Sequence, residues 1–299
     1  MVQSHLGEIY SLVTAICWAV TAITFELAGK KIGSLSVNYI RLIIGFVLVS
    51  IITTFTRGMI LPLDATLHTW TWLSISGLVG FVIGDLFLFQ SFLEVGSRIA
   101  MLIMALVPPI TALLGFITMR EIITLTDFLG MVVTIFGICV VVLVRNPEGK
   151  SFKFTRSIKG ISYAFIGALG QSLGLVLSKI GMGDYNPFAA TQVRIIAGMI
   201  GFTVVFLFLN RWDKLKVDIK NKEAFKYMFF GSLFGPVLGV TFSLLAVQHT
   251  TTGVSSTITS INPILIIPLS IYVFKEKVSP KEIVGAIITV IGISILLIL

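Results

Sequence analysis

Residues 102–137 read LIMALVPPITALLGFITMREIITLTDFLGMVVTIFG, and residues 257–292 read TITSINPILIIPLSIYVFKEKVSPKEIVGAIITVIG. Laid over one another at a shift of 155 without a gap, Pro108 meets Pro263, Glu121 meets Glu276, Gly130 meets Gly285 and Gly137 meets Gly292. Arg120 meets Lys275 and Asp127 meets Glu282, so the charge signs match as well. The same shift pairs Gly80 with Gly235, Gly84 with Gly239 and Phe87 with Phe242; a shift of 153 pairs Gly7 with Gly160 and Arg41 with Arg194. Chance apolar similarity does not hold proline, glycine and charge in register over such a length, so the chain is two copies of one unit.

Composition says what kind of unit. The 299 residues are 56% hydrophobic and 12% charged, with a mean hydropathy of +1.02. Soluble domains carry about 25% charged residues; this chain lacks the polar surface to face water and is read as an integral membrane protein. Ten apolar segments follow one another: 7–28, 37–56, 70–93, 99–119 and 126–144 in the first copy, then 160–180, 187–209, 225–248, 254–274 and 280–299. Each is about the 20 residues a helix needs to cross the hydrocarbon layer, and none alternates as a barrel strand would. The expected fold is all-α, ten transmembrane helices around a central cavity. It divides into a first five-helix repeat (1–144), a linker (145–159) and a second repeat (160–299).

Five spans is an odd number, so the second copy enters the membrane from the opposite side: an inverted-topology repeat. Seventeen of the 22 Lys and Arg residues fall in loops after odd-numbered spans. Three (Arg57, Arg120, Lys179) fall on the other side, and Arg41 and Arg194 lie within spans. Positive loops stay cytoplasmic, which places both termini outward. The same rule accounts for the net charge of +8 without any nucleic acid. Cys17 and Cys139 lie in apolar runs without metal-ligand spacing and are read as packing residues. No basic n-region precedes the first apolar run, so no cleaved signal is expected.

Glycines at 231, 235 and 239, echoed at 80 and 84, let helices approach closely, either as static packing or as a sliding surface. Pro108, Pro109 and Pro263 break backbone hydrogen bonds inside spans, and Pro236 adds a break absent from the first copy. Such breaks are tolerated where neighbours or a wet cavity satisfy the freed groups. The inner ends of spans three, four, eight and nine are therefore candidate cavity walls.

The doubled pattern of Pro108, Glu121, Gly130 and Gly137 with Pro263, Glu276, Gly285 and Gly292, together with Trp18 and Arg41, resembles the EamA-type family of drug/metabolite transporters over essentially the whole chain. The resemblance implies ten helices, a central cavity and movement of metabolites such as amino acids or sugars, often outward. Gln171 stands where the first copy has Trp18, so the two half-sites are not chemically equivalent.

Ionisable groups within spans are costly and mark functional candidates. Asp85 is either a proton-coupling carboxylate or the ion-pair partner of Arg41. The second copy has Val240 and Lys179 where the first has Asp85 and Glu26, so Arg194 has no acidic span residue of its own repeat. It is read either as the binding group for a carboxylate-bearing substrate or as a snorkelling side chain. Trp18, Gln171, Gln90 and Asn262 are further candidate substrate contacts, with helix packing and interhelical hydrogen bonds as the alternatives. Glu94 and His249, equivalent positions near span ends, are read as solvated, and Glu121 and Glu276 as anchors between helix ends. No zinc-protease, nucleophile-elbow or phosphate-loop motif occurs, so neither catalysis nor a cofactor or metal is expected.

The function expected is a secondary transporter or exchanger in the cytoplasmic membrane, moving a small metabolite by alternating access. An amino acid or related carboxylate is favoured, efflux is the expected direction, and coupled protons are one energy source. The alternative is flippase-like transport of a lipid-linked headgroup. Small-molecule substrate and membrane lipid are the expected partners; a functional monomer is possible, because the pseudo-symmetric partner is built into the chain.

Overall fold

The computed structural model describes residues 6–119, 125–142, 157–250, 252–275 and 278–295. Among them every regular element is helical. The first copy supplies α1 (Leu6–Ile32), α2 (Ser34–Arg57), α3 (Leu67–Val95), α4 (Ser97–Thr118) and α5 (Leu125–Val142). The second supplies α6 (Ile158–Met182), α7 (Pro187–Leu209), α8 (Lys222–His249), a broken α9 (Thr252–Thr259 and Asn262–Phe274) and α10 (Pro280–Ile295). A short helix, Trp212–Asp218, follows α7. Seven of these, α1 to α4 and α6 to α8, are long and apolar enough to cross a membrane. The elements at the expected spans five, nine and ten are apolar but fall outside those seven. Arg120, Glu121 and Glu276 and most of the expected linker lie outside the described residues, as does the side chain of Asp127.

Packing interleaves the two copies. α1 lies against α8 and α9 of the second repeat, while α6 lies against α3 and α4 of the first. α2 pairs with α7, and α5 pairs with α10. The equivalent helices thus exchange partners across a pseudo-two-fold axis, and the space they surround is walled by both copies. Closeness comes from glycine where the backbones cross. A Cβ on Gly170 would sit 2.5 Å from Gly84 Cα, and one on Gly292 would sit 2.4 Å from Thr134 N, with Gly137 making the reciprocal approach to Thr289. Small residues at such crossings replace the side-chain layer with direct backbone packing.

The helix breaks are symmetric too. α3 carries a π-helical turn at Leu78–Gly84 and α8 carries one at Leu233–Gly239, the same seven positions at the repeat shift. Asp85 N–H reaches back to Gly80 C=O, and Val240 N–H to Gly235 C=O. Pro236 therefore does not make a break peculiar to the second copy; the first has the same turn without a proline. Likewise α4 tightens into a 3₁₀ turn at Met104–Leu106, and α9 is interrupted at 260–261, with Pro263 in the first turn of its second piece. A π turn rotates everything after it relative to a straight helix, and such turns recur at functional sites. Here the first residue past the turn in α3 is Asp85.

Candidate functional site

A cavity of about 110 Å³ lies between the repeats. Its apolar wall comes mostly from the first copy: Trp18 on α1, Phe81 and Phe89 on α3, Met101 and Met104 on α4. The polar wall comes from the second: Gln171 on α6, Arg194 on α7, Ser243 on α8 and Ser256, Thr259, Ser260 and Asn262 on α9.

Behind that lining the first copy buries an ion pair. Arg41 is 1% exposed and Asp85 likewise 1%. An Arg41 Nη donates to Asp85 Oδ2, and Nε donates to Asn38 Oδ1 at 3.1 Å. Asn38 in turn donates from Nδ2 to the Asp85 carbonyl at 3.1 Å. The other carboxylate oxygen, Oδ1, accepts from Gln171 Nε2 at 2.5 Å, and the same amide lies 3.3 Å from the Gly80 carbonyl inside the π turn. Both oxygens of Asp85 are thus engaged, one by each repeat. Rings crowd the guanidinium: Phe89 at 4.7 Å, Phe81 at 5.5 Å and Phe25 at 5.7 Å from Arg41 Cζ to the centroids.

Arg194 occupies the equivalent place in the second copy, but its surroundings differ. It is 5% exposed, its Cζ stands 4.8 Å from the Phe81 centroid, and a Cβ on Gly80 would lie 3.1 Å from its Nη2. Among the described residues it has no ion-pair partner, and its Nε has no hydrogen-bond partner. Phe81 therefore contacts two guanidinium groups, and the cluster holds two cations against one carboxylate. An uncompensated buried charge is strongly unfavourable; cation–π contact with Phe81 offsets only a part, on the order of 1–2 kcal/mol. The cluster has room electrostatically for one more negative charge, on the side where Arg194 lines the cavity.

The expected site residues divide accordingly. Trp18, Gln171, Arg194 and Asn262 all line the cavity. Arg41 and Asp85 form the ion pair behind it. Gln90 does not reach it: its Oε1 accepts from Ser34 Oγ at 2.6 Å, beside a separate recess near the α1–α2 junction. Glu26 is no partner of Arg41 either, since it binds Lys30 at 2.5 Å and the Ser97 N–H at 2.6 Å. Asn262 donates to Thr259 C=O at 2.7 Å, while its Oδ1 has no partner. Glu94 faces Lys159 at 3.5 Å, and His249 packs edge-on against Tyr10, ring centroids 5.7 Å apart; neither lines the cavity. Phe81 and the hydroxyls of α9 were not among the expected site residues. The signal for the hydroxyls was present in the spacing of Ser255, Ser256, Thr259 and Ser260, which puts small polar groups on one helical face. No group of three or more His, Cys, Asp or Glu suited to a metal occurs among the described residues.

Polar contacts also join the repeats at both ends of the bundle. At the end carrying the basic loops, Lys31 pairs with Glu223 at 2.7 Å and Ser36 Oγ donates to Asp218 at 2.5 Å. At the other end the contact between repeats is made in loops outside the spans, where Tyr185 Oη donates to Asp64 at 2.8 Å; Asp64 also pairs, within the first repeat, with Arg57 at the end of α2 at 2.5 Å. Burial would raise the Asp64 pKa, but the Tyr185 hydroxyl, a backbone N–H and Arg57 together hold its carboxyl below the usual range. Burial, then the bond to Asp64, pushes the Tyr185 hydroxyl up to about 12.

Two stretches, 5–143 and 158–298, match the model of the EamA-like transporter family. An uncharacterized transporter of Archaeoglobus fulgidus is 23% identical over 298 residues, covering 98% of either chain. One of Clostridium kluyveri is 23% identical over 180 residues, 60% of this chain and 56% of that protein. A solved crystal structure superposes with a TM-score of 0.66 at 16% identity, covering 97% of this chain and 95% of the other; at that identity the likeness concerns the fold.

Proposed function

This chain belongs to the EamA-like transporter family, and on that premise we propose that it moves a small carboxylate-bearing metabolite across the cytoplasmic membrane by alternating access. The proposed architecture is ten spans in two inverted five-helix repeats, 1–144 and 160–299, joined by the linker 145–159. The loops rich in Lys and Arg would face the cytoplasm and both termini outward. The observation that carries the proposal is the buried guanidinium of Arg194, unpaired at a cavity that both repeats enclose. A fixed cation of this kind recognises a carboxylate bidentately.

Energy for the cycle would come from the substrate's own gradient or from exchange. Asp85 fits the role of a structural counter-ion better than that of a proton carrier, because its two oxygens are committed to Arg41 and Gln171. Protonation there would leave two buried guanidinium groups without any counter-charge. In the net direction of efflux, a cytoplasmic solute would enter from the basic end and leave past the Asp64–Tyr185 contacts.

The test is flux. Purified protein is reconstituted into vesicles loaded with a defined mixture of metabolites, and the external solution is read by mass spectrometry. The expected result is faster release of some carboxylates than from protein-free vesicles, without new products. A release profile equal to that of protein-free vesicles, with accelerated scrambling of labelled lipid, would replace the proposal by flippase-like transport.

A further inference from the structure

We infer that the substrate is a net-negative carboxylate with an apolar body, and that a zwitterionic amino acid of the same skeleton is a poor ligand. The inference deepens the proposed function, resting on the same cavity and on Arg194 as its anion-binding group.

Three observations lead to it. The buried cluster of Arg41, Arg194 and Asp85 carries one positive charge in excess, so a ligand bringing a full negative charge neutralises it. A zwitterion brings no net charge and leaves the excess in place. Second, among the described residues those lining the cavity include one ionisable group, Arg194, and no carboxylate. An ammonium group needs a counter-charge when it leaves water. Asp85 is occupied on both oxygens, and Glu26 is held by Lys30 and the Ser97 N–H. The unpartnered Asn262 Oδ1 and the α9 hydroxyls offer dipoles only, suited to a hydroxyl or carbonyl on the ligand. Third, the wall formed by Trp18, Phe89, Met101 and Met104 is apolar and polarizable, which fits a hydrocarbon body and disfavours a second charge.

The geometry thus separates molecules that differ by one amino group. The experiment measures the unfolding temperature of protein purified in a neutral detergent, with 3-methylbutanoate, its amide 3-methylbutanamide and valine as probes. 3-Phenylpropanoate and phenylalanine serve as a larger matched pair. A ligand that binds the folded state raises the unfolding temperature as its concentration exceeds Kd. Expected is a concentration-dependent rise with at least one of the two carboxylates, a rise at least several-fold smaller at equal concentration with its amino-acid partner, and none with the amide. The rise should vanish in Arg194→Gln and persist, weakened, in Arg194→Lys, which keeps the charge and controls for folding. Equal or larger stabilisation by valine or phenylalanine overturns the inference, as does an unchanged rise in Arg194→Gln or silence from both carboxylates. A short-chain phosphatidylglycerol that stabilises more than either carboxylate also overturns it, in favour of a lipid headgroup. Because the readout is binding to solubilised protein, it fails independently of the flux test: flux with a zwitterion preference refutes this inference and leaves the transporter reading standing.

Discussion

Replacing Asp85 by Asn keeps the shape of the side chain and removes the one negative charge in the buried cluster. Asp85 is 1% exposed and accepts from Arg41 and Gln171, so no water takes over its role. Removing one partner of a buried pair costs about 3–5 kcal/mol, most of it the penalty of leaving the other charge stranded. Here the penalty is shared by Arg41, in direct contact, and by Arg194, which shares the Phe81 contact. Arg41→Met should cost a similar amount, because it strands Asp85. Removing both leaves only Arg194 charged, so the double variant should be little worse than either single one, giving a coupling close to the cost of one single variant, about 3 kcal/mol or more. The assay is equilibrium unfolding in mixed micelles for the wild type, both single variants and the double variant. Additive single effects, or a cost below about 1 kcal/mol for Asp85→Asn, would refute the view that the pair is a mutually dependent buried unit.

Other positions carry independent expectations. Gly292→Ala places a Cβ 2.4 Å from Thr134 N, a backbone atom that cannot turn aside; forcing α5 from α10 should cost about 1–3 kcal/mol, read in the same unfolding assay. Gln171→Leu strands Asp85 Oδ1 and the Gly80 carbonyl and should cost about 1–3 kcal/mol. Tyr185, raised to about 12, favours the folded state while it is protonated. Its contribution is therefore full below pH 10, fades between pH 10 and 12, and amounts to less than about 1 kcal/mol for so exposed a contact. Asp64, held below its usual range, contributes above about pH 4 and loses that contribution as the pH falls through its folded value. The difference absorbance spectrum of wild type minus Tyr185→Phe should show one tyrosine ionising near pH 12; ionisation near pH 10 would remove the contact with Asp64.

Much of the architecture was legible because the membrane reduces the code to few symbols. Apolar runs set the helices, and glycine and proline kept in register set the repeat. That same register anticipates the matched π turns at 78–84 and 233–239, although the sequence pointed to Pro236 as a break of the second copy alone. A π turn depends on which carbonyl each N–H reaches, and the paired glycines only permit it. Arg41 with Asp85 was legible as an ion pair because both lie in the same half of their spans. Gln171 on Asp85 was not: the bond links the two copies, and side chains from different repeats meet only once the helices have exchanged partners. The same exchange explains Gln90, polar and within a span like Gln171 yet turned to Ser34. Arg194 stood out in sequence through what its repeat lacks, and that absence became an unpaired guanidinium at the cavity.

The central claim is that substrate passes the cavity at Arg194, and flux through paired proteoliposome preparations tests it most directly. Wild type and Arg194→Gln, matched for folding and orientation, would be loaded with one metabolite mixture and their released solutes compared. The account predicts that a subset of net-anionic carboxylates leaves wild-type vesicles faster than protein-free ones, and that Arg194→Gln loses this subset. Release of the same solutes at the same rates from both preparations would contradict it.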